Sequence, residues 1–377
     1  MLESTTAPNT AVLVSLDFGA PDYAESLEEL RLLAESAGVQ TVALVEGKRQ
    51  RPDASTFAGS GKLDEIAAIV EQHEVPLVIF NHDLSPAQMR NLTAKLQARV
   101  IDRTMLILDI FALRAQSHEG KVQVELAQLK YLSTRLVGMN MDMGQQKYAV
   151  GARGPGETQL ELDRRKLDRR VQLLKERLEK LRRHRQIQRR ARNRSDVFSV
   201  SIVGYTNAGK STLFNRLTHA NVYVANQLFA TLDTTARKVF IEGSGQVVLS
   251  DTVGFIRHLP HGLVAAFRST LEETTFADLL LHVVDANSPE RHDQIAEVNK
   301  VLHEIGADKI PQIVIFNKID LQGLPPAVKR NEYGKIASIH LSAKTGAGMD
   351  ELRAALAEAR DVQAQSAQPQ EWHPLND

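Results

Sequence analysis

The most informative segment of the sequence for the fold is Gly204-Tyr205-Thr206-Asn207-Ala208-Gly209-Lys210-Ser211. It fits the pattern G-x-x-x-x-G-K-[ST], it follows an apolar run at 197–203, and a helix-forming segment at 212–217 comes after it. A strand, a glycine-rich loop and a helix in this order predict a phosphate-binding loop, because the glycines let backbone N–H groups close around phosphate oxygens. Lys210 would reach the β and γ oxygens, and Ser211 would ligate Mg²⁺. The motif therefore predicts a nucleoside triphosphate site without specifying the base.

A second motif specifies the base. The sequence Asn317-Lys318-Ile319-Asp320 follows the apolar segment 313–316. A carboxylate only accepts hydrogen bonds, and guanine offers Asp320 two donors, the ring N1–H and the 2-amino group. Adenine offers an acceptor at N1 and no donor beside it, so a buried Asp320 would lose about 1–3 kcal/mol with ATP. Lys318 would lay its alkyl stem over the purine ring. The motif predicts a guanine nucleotide.

Two further motifs complete the predicted site, and they are Asp251-Thr252-Val253-Gly254 and Ser342-Ala343-Lys344. We expect Asp251 to hold Mg²⁺ through water, Gly254 to offer its N–H to the γ-phosphate, and Ala343 to offer its N–H to the guanine carbonyl. All four motifs lie at the carboxyl ends of predicted strands. An open α/β sheet binds its ligand along that edge, so the four motifs together predict one site.

Composition excludes several other classes of protein. The chain has 377 residues and no cysteine, so disulfides, thiolate chemistry and cysteine-based zinc sites are excluded. No basic, apolar and small-residue signal pattern opens the sequence, and no apolar run approaches the roughly 18 residues that span a membrane. We therefore expect a soluble, cytoplasmic protein without a membrane partner, acting as a monomer.

The net charge of zero hides a strong local asymmetry. Residues 151–194 contain 16 Lys and Arg against 6 Asp and Glu, a balance of +10, so the remainder carries −10. Residues 182–194 alone contain seven Arg and no acid. A solvated helix face would explain such a run, but its one-sidedness favours contact with a phosphate backbone. Because the run has no aromatic residue, it would contact phosphates rather than read bases.

The pattern along the chain predicts an α/β protein in four parts. Strand and helix patterns alternate over residues 1–117, which predicts an N-terminal α/β domain with a largely parallel sheet. Residues 118–194 predict a basic, antiparallel helical hairpin, and residues 195–362 a P-loop domain with a mostly parallel sheet. Residues 363–377 are rich in Gln, Ala and Pro and predict a poorly ordered tail.

The hairpin prediction rests on two apolar seams. In the longer helix the apolar positions recur at steps of seven, four, three, four and three, which is a heptad seam. These positions are Leu160, Leu167, Val171, Leu174, Leu178 and Leu181. The facing seam would be Val122, Leu126, Leu129, Leu132 and Leu136. A two-helix connector without a function of its own is the alternative interpretation.

Two other patterns imitate functional motifs. Gly59-Ser60-Gly61-Lys62 resembles a second phosphate loop, but Thr56 stands where the first glycine is needed, so we interpret it as a helix start. A weak nucleotide or RNA contact is the alternative there. His258 and His261 flank Pro260 without a third ligand in view, and we interpret them as loop residues rather than as a metal site.

Together, the motifs closely resemble the HflX family of ribosome-associated GTPases. Within the nucleotide domain the resemblance rests on segments 204–215, 229–233 (Phe-Ala-Thr-Leu-Asp) and 251–257. Outside it, the more specific matches are segments 84–92, 101–104 (Ile-Asp-Arg-Thr), 123–129 and 154–165. The resemblance covers roughly residues 10–360.

The family implies a GTPase that converts GTP and water to GDP and phosphate, binds the large ribosomal subunit and its RNA, and can dissociate ribosomes. By motif position Thr231 would be the switch threonine that ligates Mg²⁺, and Lys210 and Thr231 would be the catalytic residues. The surrounding switch segment would be Phe229, Ala230, Thr231, Leu232 and Asp233. In related GTPases an Asn at the position of Asn207 helps to hold K⁺, which makes K⁺ a second candidate cofactor beside Mg²⁺.

The sequence departs from the family pattern at two points. Position 234 is Thr where the family usually has Pro, so Thr234 and Thr235 are rivals of Thr231 as the switch threonine. Some members carry a further C-terminal domain, which we do not expect here, and contacts made by that domain are therefore not carried over. Phe255 stands where many GTPases have a water-orienting Gln, which predicts slow hydrolysis alone and acceleration by a partner.

Two rivals to a ribosome-binding GTPase remain at this point. One is a GTP-gated partner protein in RNA modification or remodelling. The other is a signalling switch that binds only proteins and whose arginine-rich helix is merely solvated.

Overall fold

The computed structural model describes residues 10–145, 155–193, 197–218, 228–229, 231–232, 235–241, 245–257 and 274–367. They form two compact units, the first reaching Arg183 and the second starting at His184. Within the part of the chain that the structure describes, no helix has the length and apolar character needed to cross a bilayer.

The first unit contains a four-stranded sheet in the order β2-β1-β3-β4, and every pair is parallel. Its strands are β1 (Thr10–Asp17), β2 (Gln40–Lys48), β3 (Leu77–Phe80) and β4 (Arg99–Asp102). Its first helices are α1 (Tyr23–Ser36), α2 (Ser60–His73), α3 (Pro86–Leu96) and α4 (Arg103–Arg114). Apolar residues of β1, β3, α2 and α3 form one buried core. The predicted parallel α/β unit is confirmed.

Helix starts in this unit follow local chemistry. Ser85 accepts from the Gln88 backbone N–H at 3.2 Å while the Gln88 side chain accepts from the Ser85 N–H at 2.9 Å, a capping box with Pro86 at the first position. The Gly59-Ser60-Gly61-Lys62 segment is the first turn of α2, with Gly59 as its N-cap. The interpretation of this segment as a helix start is confirmed.

A buried polar network ties the sheet to the next helix, α5 (His118–Gln145). Asp102 caps α4 through the Met105 N–H at 2.9 Å and accepts from Arg135 of α5 at 2.7 Å. Arg135 also lies 4.5 Å from the centre of the Tyr131 ring. Arg103 donates to Asn81 at 2.9 Å. Because a buried carboxylate and guanidinium need partners, this network explains the Asp-Arg pair of segment 101–104 as architecture.

The hairpin consists of α5 and α6 (Pro155–Asn193). Four side chains form its buried cluster, and they are Val122, Leu126, Leu174 and Leu178. Leu129 and Val171 pack against this cluster, and Arg170 donates to Glu125 at 2.6 Å. The two predicted seams therefore meet. Leu132 is an exception, because its side chain is exposed, and the side chains of Leu136 and Leu160 lie outside the described residues.

The second unit is built on a seven-stranded sheet in the order β10-β11-β9-β8-β5-β7-β6. Its strands are β5 (Phe198–Gly204), β6 (Thr235–Ile241), β7 (Gly245–Asp251), β8 (Leu279–Asp285), β9 (Gln312–Asn317), β10 (Ala327–Arg330) and β11 (Ile336–His340). Its helices are α7 (Lys210–Thr218), α8 (Arg291–Ile305) and α9 (Met349–Ala367). Only the two edge pairs, β6 with β7 and β10 with β11, are antiparallel among the described pairs.

The mostly parallel sheet agrees with the prediction and places the carboxyl ends of β5, β7, β8, β9 and β11 at one edge. The tail differs from its prediction, because α9 continues through residues 363–367, and residues 368–377 lie outside the described chain.

His282 lies in the middle of β8 and makes the stability of the second unit depend on pH. Burial lowers the pKa of His282 to about 4, below its ordinary 6.5. The unfolded chain therefore takes up the proton first as the pH falls, and stability that is present above pH 6.5 is lost towards pH 4. We expect this residue to cost about 2.5 kcal/mol of the free energy of unfolding between pH 7 and pH 4.5.

Urea unfolding at the two pH values checks this expectation. His282→Gln, which is neutral at every pH, should show a smaller loss of stability than the natural chain. His292→Gln, at an exposed position, is the matched control and should change like the natural chain. An equal loss in all three proteins would contradict the expectation.

Candidate functional site

The phosphate-binding loop connects the end of β5 to the start of α7. Its first glycine, Gly204, has φ +147°, and a Cβ there would lie 2.1 Å from the carbonyl oxygen of Val283 in the neighbouring strand. Gly209 has φ +96°, and a Cβ there would lie 2.2 Å from the Asn317 amide nitrogen. Both positions therefore require glycine for space as well as for conformation. The loop ends on the N-terminus of α7, where free N–H groups favour an anion.

Lys210 lies across this loop. Its ammonium donates to the backbone oxygen of Tyr205 at 2.7 Å, which fixes its direction and leaves its other hydrogens for phosphate oxygens. Burial lowers the pKa of Lys210 to about 8, and Asp251 opposes that shift. The group therefore stays mainly protonated at neutral pH, and a bound phosphate would favour its charge further.

Three oxygen atoms meet beside Lys210. Asp251 Oδ2 lies 2.7 Å from Ser211 Oγ and 2.9 Å from Thr231 Oγ1, and the two hydroxyls lie 2.8 Å apart. When Asp251 is ionised, the two hydroxyl hydrogens cannot serve three such contacts, so one pair of oxygens has no hydrogen between them. Burial raises the pKa of Asp251, and its other oxygen, Oδ1, is buried without a partner among the described residues.

This cluster fits a divalent cation. Hydroxyl and carboxylate oxygens are the ligands that Mg²⁺ prefers, and a cation would satisfy both the unpartnered Oδ1 and the crowded oxygens. The residues that would hold it are Ser211 and Thr231, with Asp251 through water. Bound there, Mg²⁺ would neutralise charge on the phosphate oxygens.

The structure describes two of the three rival threonines, and they lie in different places. Thr231 reaches the cluster, whereas Thr235 belongs to β6 and pairs in register with Asp251 through the sheet. Thr234 lies outside the described residues, as do Ala230 and Asp233 of the predicted switch segment. Phe229 and Leu232, on either side of Thr231, are buried.

Asn317 organises the base-binding edge from inside. Its amide nitrogen donates to the Ala208 carbonyl at 2.8 Å, and its amide oxygen accepts from the Ala343 N–H at 2.9 Å. The phosphate loop and the Ser-Ala-Lys loop are therefore joined through one buried side chain. The Ala343 N–H, which was predicted to meet the guanine carbonyl, donates to Asn317 here, and its contact with guanine stays a prediction.

Lys318 follows with φ +68°, and its ammonium donates to Asp285 at 2.7 Å. This ion pair fixes the position of the Lys318 ammonium group. Asp320, in contrast, is exposed, whereas the sequence argument treated it as buried. A bound guanine would have to cover the Asp320 carboxylate. The preference of Asp320 for guanine over adenine therefore depends on how far the bound nucleotide shields it from water. Ile319 between them is buried and packs into the core.

The remaining predicted residues shape loops. Ser342 is buried and accepts the Thr345 N–H at 3.1 Å through its hydroxyl, while Lys344 is exposed and its carbonyl accepts from Arg216 at 3.3 Å. Thr252 donates to the Ile202 carbonyl at 2.7 Å, and Val253 is buried.

Sequence reasoning missed Asp285 and Arg216. Asp285 carried a usable signal, because it ends a buried apolar strand at the same edge as the motifs. Arg216 carried none, since its contact joins segments far apart in the chain.

The three described residues directly after Gly254, residues 255–257, show no group that is free to orient water. Phe255 is buried at 2% exposure and has no polar side-chain atom. The guanidinium of Arg257 donates to Glu290 at 2.7 Å. His258 and His261 lie outside the described residues.

The phosphate loop at the end of β5 and the mostly parallel sheet around it define the class of the protein, which is a P-loop GTPase. Three family models match the chain, described as GTP-binding GTPase N-terminal (residues 24–112), GTP-binding GTPase Middle Region (114–192) and 50S ribosome-binding GTPase (199–318).

The chain belongs to the HflX family of GTPases. It is 51% identical over 359 residues to GTPase HflX of Escherichia coli, covering 95% of this chain and 84% of that protein. It is 47% identical to GTPase HflX of Caldanaerobacter subterraneus, covering 92% and 79%. Among solved structures it is similar to a GTP-binding protein from Sulfolobus solfataricus in complex with GDP, at 25% identity, TM-score 0.51, and coverage of 94% and 99%. The chain binds GTP and hydrolyses it to GDP and phosphate.

Proposed function

We propose that this GTPase binds the large ribosomal subunit in the cytoplasm as a single copy, contacts ribosomal RNA through its hairpin, and dissociates ribosomes under the control of GTP. The observation that carries the proposal is the exposed basic face of α6. Every Lys and Arg side chain described between residues 162 and 183 is exposed, nine in all. A surface of this kind favours a polyanion over a protein partner.

Some cations of α6 are paired with acidic residues of the same helix, and others are left available for a phosphate contact. Arg164 pairs with Asp168 at 4.0 Å and Arg183 with Glu179 at 3.4 Å. Among the described residues Arg169, Arg177 and Lys180 have no ion pair, and the helical spacing of eight and three residues places them on one face. Leu174 and Leu178, which pack against α5, are buried, whereas all three cations are exposed to solvent. The three cations are therefore open to a partner.

Sedimentation with ribosomes tests the proposal. The chain should pellet with large subunits in the presence of a non-hydrolysable GTP analogue and remain in the supernatant with GDP. Binding to free RNA but not to subunits would favour the partner protein in RNA modification. If the chain binds neither ribosomal subunits nor free RNA, the result would favour the signalling switch that binds only proteins.

The salt dependence of this binding gives a sharper expectation. Replacing Arg169, Arg177 and Lys180 with Gln should lower the slope of log affinity against log salt by about 2–3, at roughly 0.7–0.9 per lost phosphate contact. Affinity for GDP should stay unchanged, since these residues lie in the first unit. Subunit binding is measured by sedimentation between 50 and 200 mM salt, a range over which about six phosphate contacts lose roughly 10³ in affinity.

A matched control neutralises three exposed lysines of the second unit, Lys300, Lys309 and Lys335. Its slope should equal that of the natural chain. Equal slopes in all three proteins would support a merely solvated helix.

We also propose that K⁺ assists hydrolysis beside Asn207. Asn207 is exposed with φ +58°, and its side chain makes no hydrogen bond with the described residues. A cation there would neutralise charge that develops in the transition state. GTP turnover should be roughly tenfold faster in K⁺ than in Na⁺. Asn207→Ala should remove this difference, and equal rates of the natural chain in both salts would contradict the proposal.

A further inference from the structure

The segment after the Asp-Thr-Val-Gly motif is joined to the phosphate loop by backbone hydrogen bonds. The Thr206 N–H donates to the Phe255 carbonyl at 2.7 Å, and the Phe255 N–H donates to the Gly204 carbonyl at 3.2 Å. These two bonds extend the parallel pairing of β5 with β7 beyond the end of the sheet. The segment therefore has a defined docked position.

Docking brings Gly254 to the phosphate end of the site. A Cβ on Gly254 would lie 2.7 Å from Thr206 Cγ2 and 2.9 Å from Lys210 Nζ. Because Lys210 marks where the β and γ oxygens bind, the backbone of Gly254 lies where its N–H can serve a γ-phosphate. GDP has no γ-phosphate, so only GTP would be sensitive to this position.

Arg257 holds the far end of the segment by two anchors. Its backbone N–H donates to the Tyr205 hydroxyl at 2.7 Å, and its guanidinium donates to Glu290 at 2.7 Å. The side chains of Arg257 and Glu290 are only 10% and 18% exposed. Asp293 is a weaker neighbour at 4.0 Å with a side chain 76% exposed. The shielded pair with Glu290 is therefore the main anchor, since a screened, exposed pair contributes little.

We propose that Arg257, anchored by Glu290 and Tyr205, is a positioning residue that holds Gly254 at the γ-phosphate and so favours GTP over GDP. The backbone bonds of Phe255 and the ion pair of Arg257 together hold residues 254–257 in the docked position, and loss of the ion pair loosens this segment. The inference rests on the proposed contact of Gly254 with the γ-phosphate. It is independent of ribosome binding.

The test compares affinities for GDP and for a non-hydrolysable GTP analogue by titration. Glu290→Gln should weaken the analogue about five- to tenfold, less than one lost charge-assisted bond because Glu290 acts through Arg257, and GDP by less than about twofold. Tyr205→Phe, which removes only the hydroxyl, should act in the same direction. The exchanged pair Arg257→Glu with Glu290→Arg should restore the analogue affinity.

Asp293→Asn is the matched control and should change neither affinity. If Glu290→Gln lowers the affinities for both nucleotides equally, the ion pair only supports the fold in general, and the proposal is overturned. A variant that loses affinity for neither nucleotide overturns it as well. Gly254→Ala tests the assumed contact of Gly254 with the γ-phosphate separately from the ion pair. If this variant still prefers the GTP analogue to GDP as the natural chain does, the assumed contact is wrong.

Discussion

Purified large ribosomal subunits should accelerate GTP turnover by this protein about a hundredfold or more, below the roughly 10³- to 10⁵-fold given by a partner that inserts an arginine. The reason is the incomplete hydrolytic apparatus of the isolated chain. Phe255 is buried and has no polar group to orient water, and Arg257 is engaged by Glu290. A partner that orders the switch segments would supply positioning and exclude water, which is most of what phosphoryl transfer requires.

The measurement is phosphate release at fixed salt, with and without subunits. The chain with Arg169, Arg177 and Lys180 replaced by Gln is the control, because it should lose the acceleration and keep the slow basal rate. Fast turnover by the natural chain alone, unchanged by subunits, would contradict the expectation and indicate a catalytic group among residues outside the described chain.

Replacing Asp320 with Asn should exchange the base preference from guanine to xanthine. Asp320 would accept hydrogen bonds from guanine N1–H and the 2-amino group. In the Asn variant either the N1–H or the 2-amino group would face the side-chain NH₂, and two donors cannot form a hydrogen bond with each other. We expect GDP affinity to fall by about 1.5–3 kcal/mol, roughly 10- to 150-fold. Xanthine carries a carbonyl in place of the amino group, so xanthosine diphosphate should gain affinity. Titration with both nucleotides measures the exchange.

The exposure of Asp320 makes this result easy to interpret. Its side chain makes no hydrogen bond or ion pair with the described residues, so the unfolding temperature of the variant should match that of the natural chain. Asp350→Asn, at another exposed acid of the same unit, should leave both affinities unchanged. If Asp320→Asn binds GDP as well as the natural chain, Asp320 does not contact the base.

Much of the site was predictable because its chemistry lies in consecutive residues. The segment 204–211 contains its glycines, lysine and serine within eight consecutive residues, so local spacing alone predicts the phosphate loop. Alternating apolar strands and helices then predict a parallel sheet, which puts every strand-end motif at one edge. The guanine preference followed from the two hydrogen-bond donors that guanine offers to the carboxylate of Asp320. These conclusions needed no knowledge of packing.

Other features of the site depend on contacts between segments that are distant along the chain, and only the folded structure reveals them. Thr231 was distinguished from Thr235 only when its hydroxyl met Asp251, 20 residues away along the chain. Asn317 and Ala343 pair across 26 residues. Such pairings follow from which strands are neighbours and which buried groups need partners, and no local pattern encodes them.

Arg257 shows the same difference between sequence and structure. In the sequence it stands close to the phosphate motifs, as a group that assists hydrolysis would. In the structure its guanidinium meets Glu290, 33 residues further along the chain, in a shielded ion pair. The sequence by itself determined which chemical groups line the edge of the sheet. Packing decided which of them face the nucleotide and which hold the others in place, because a buried charge takes the partner that the fold brings to it.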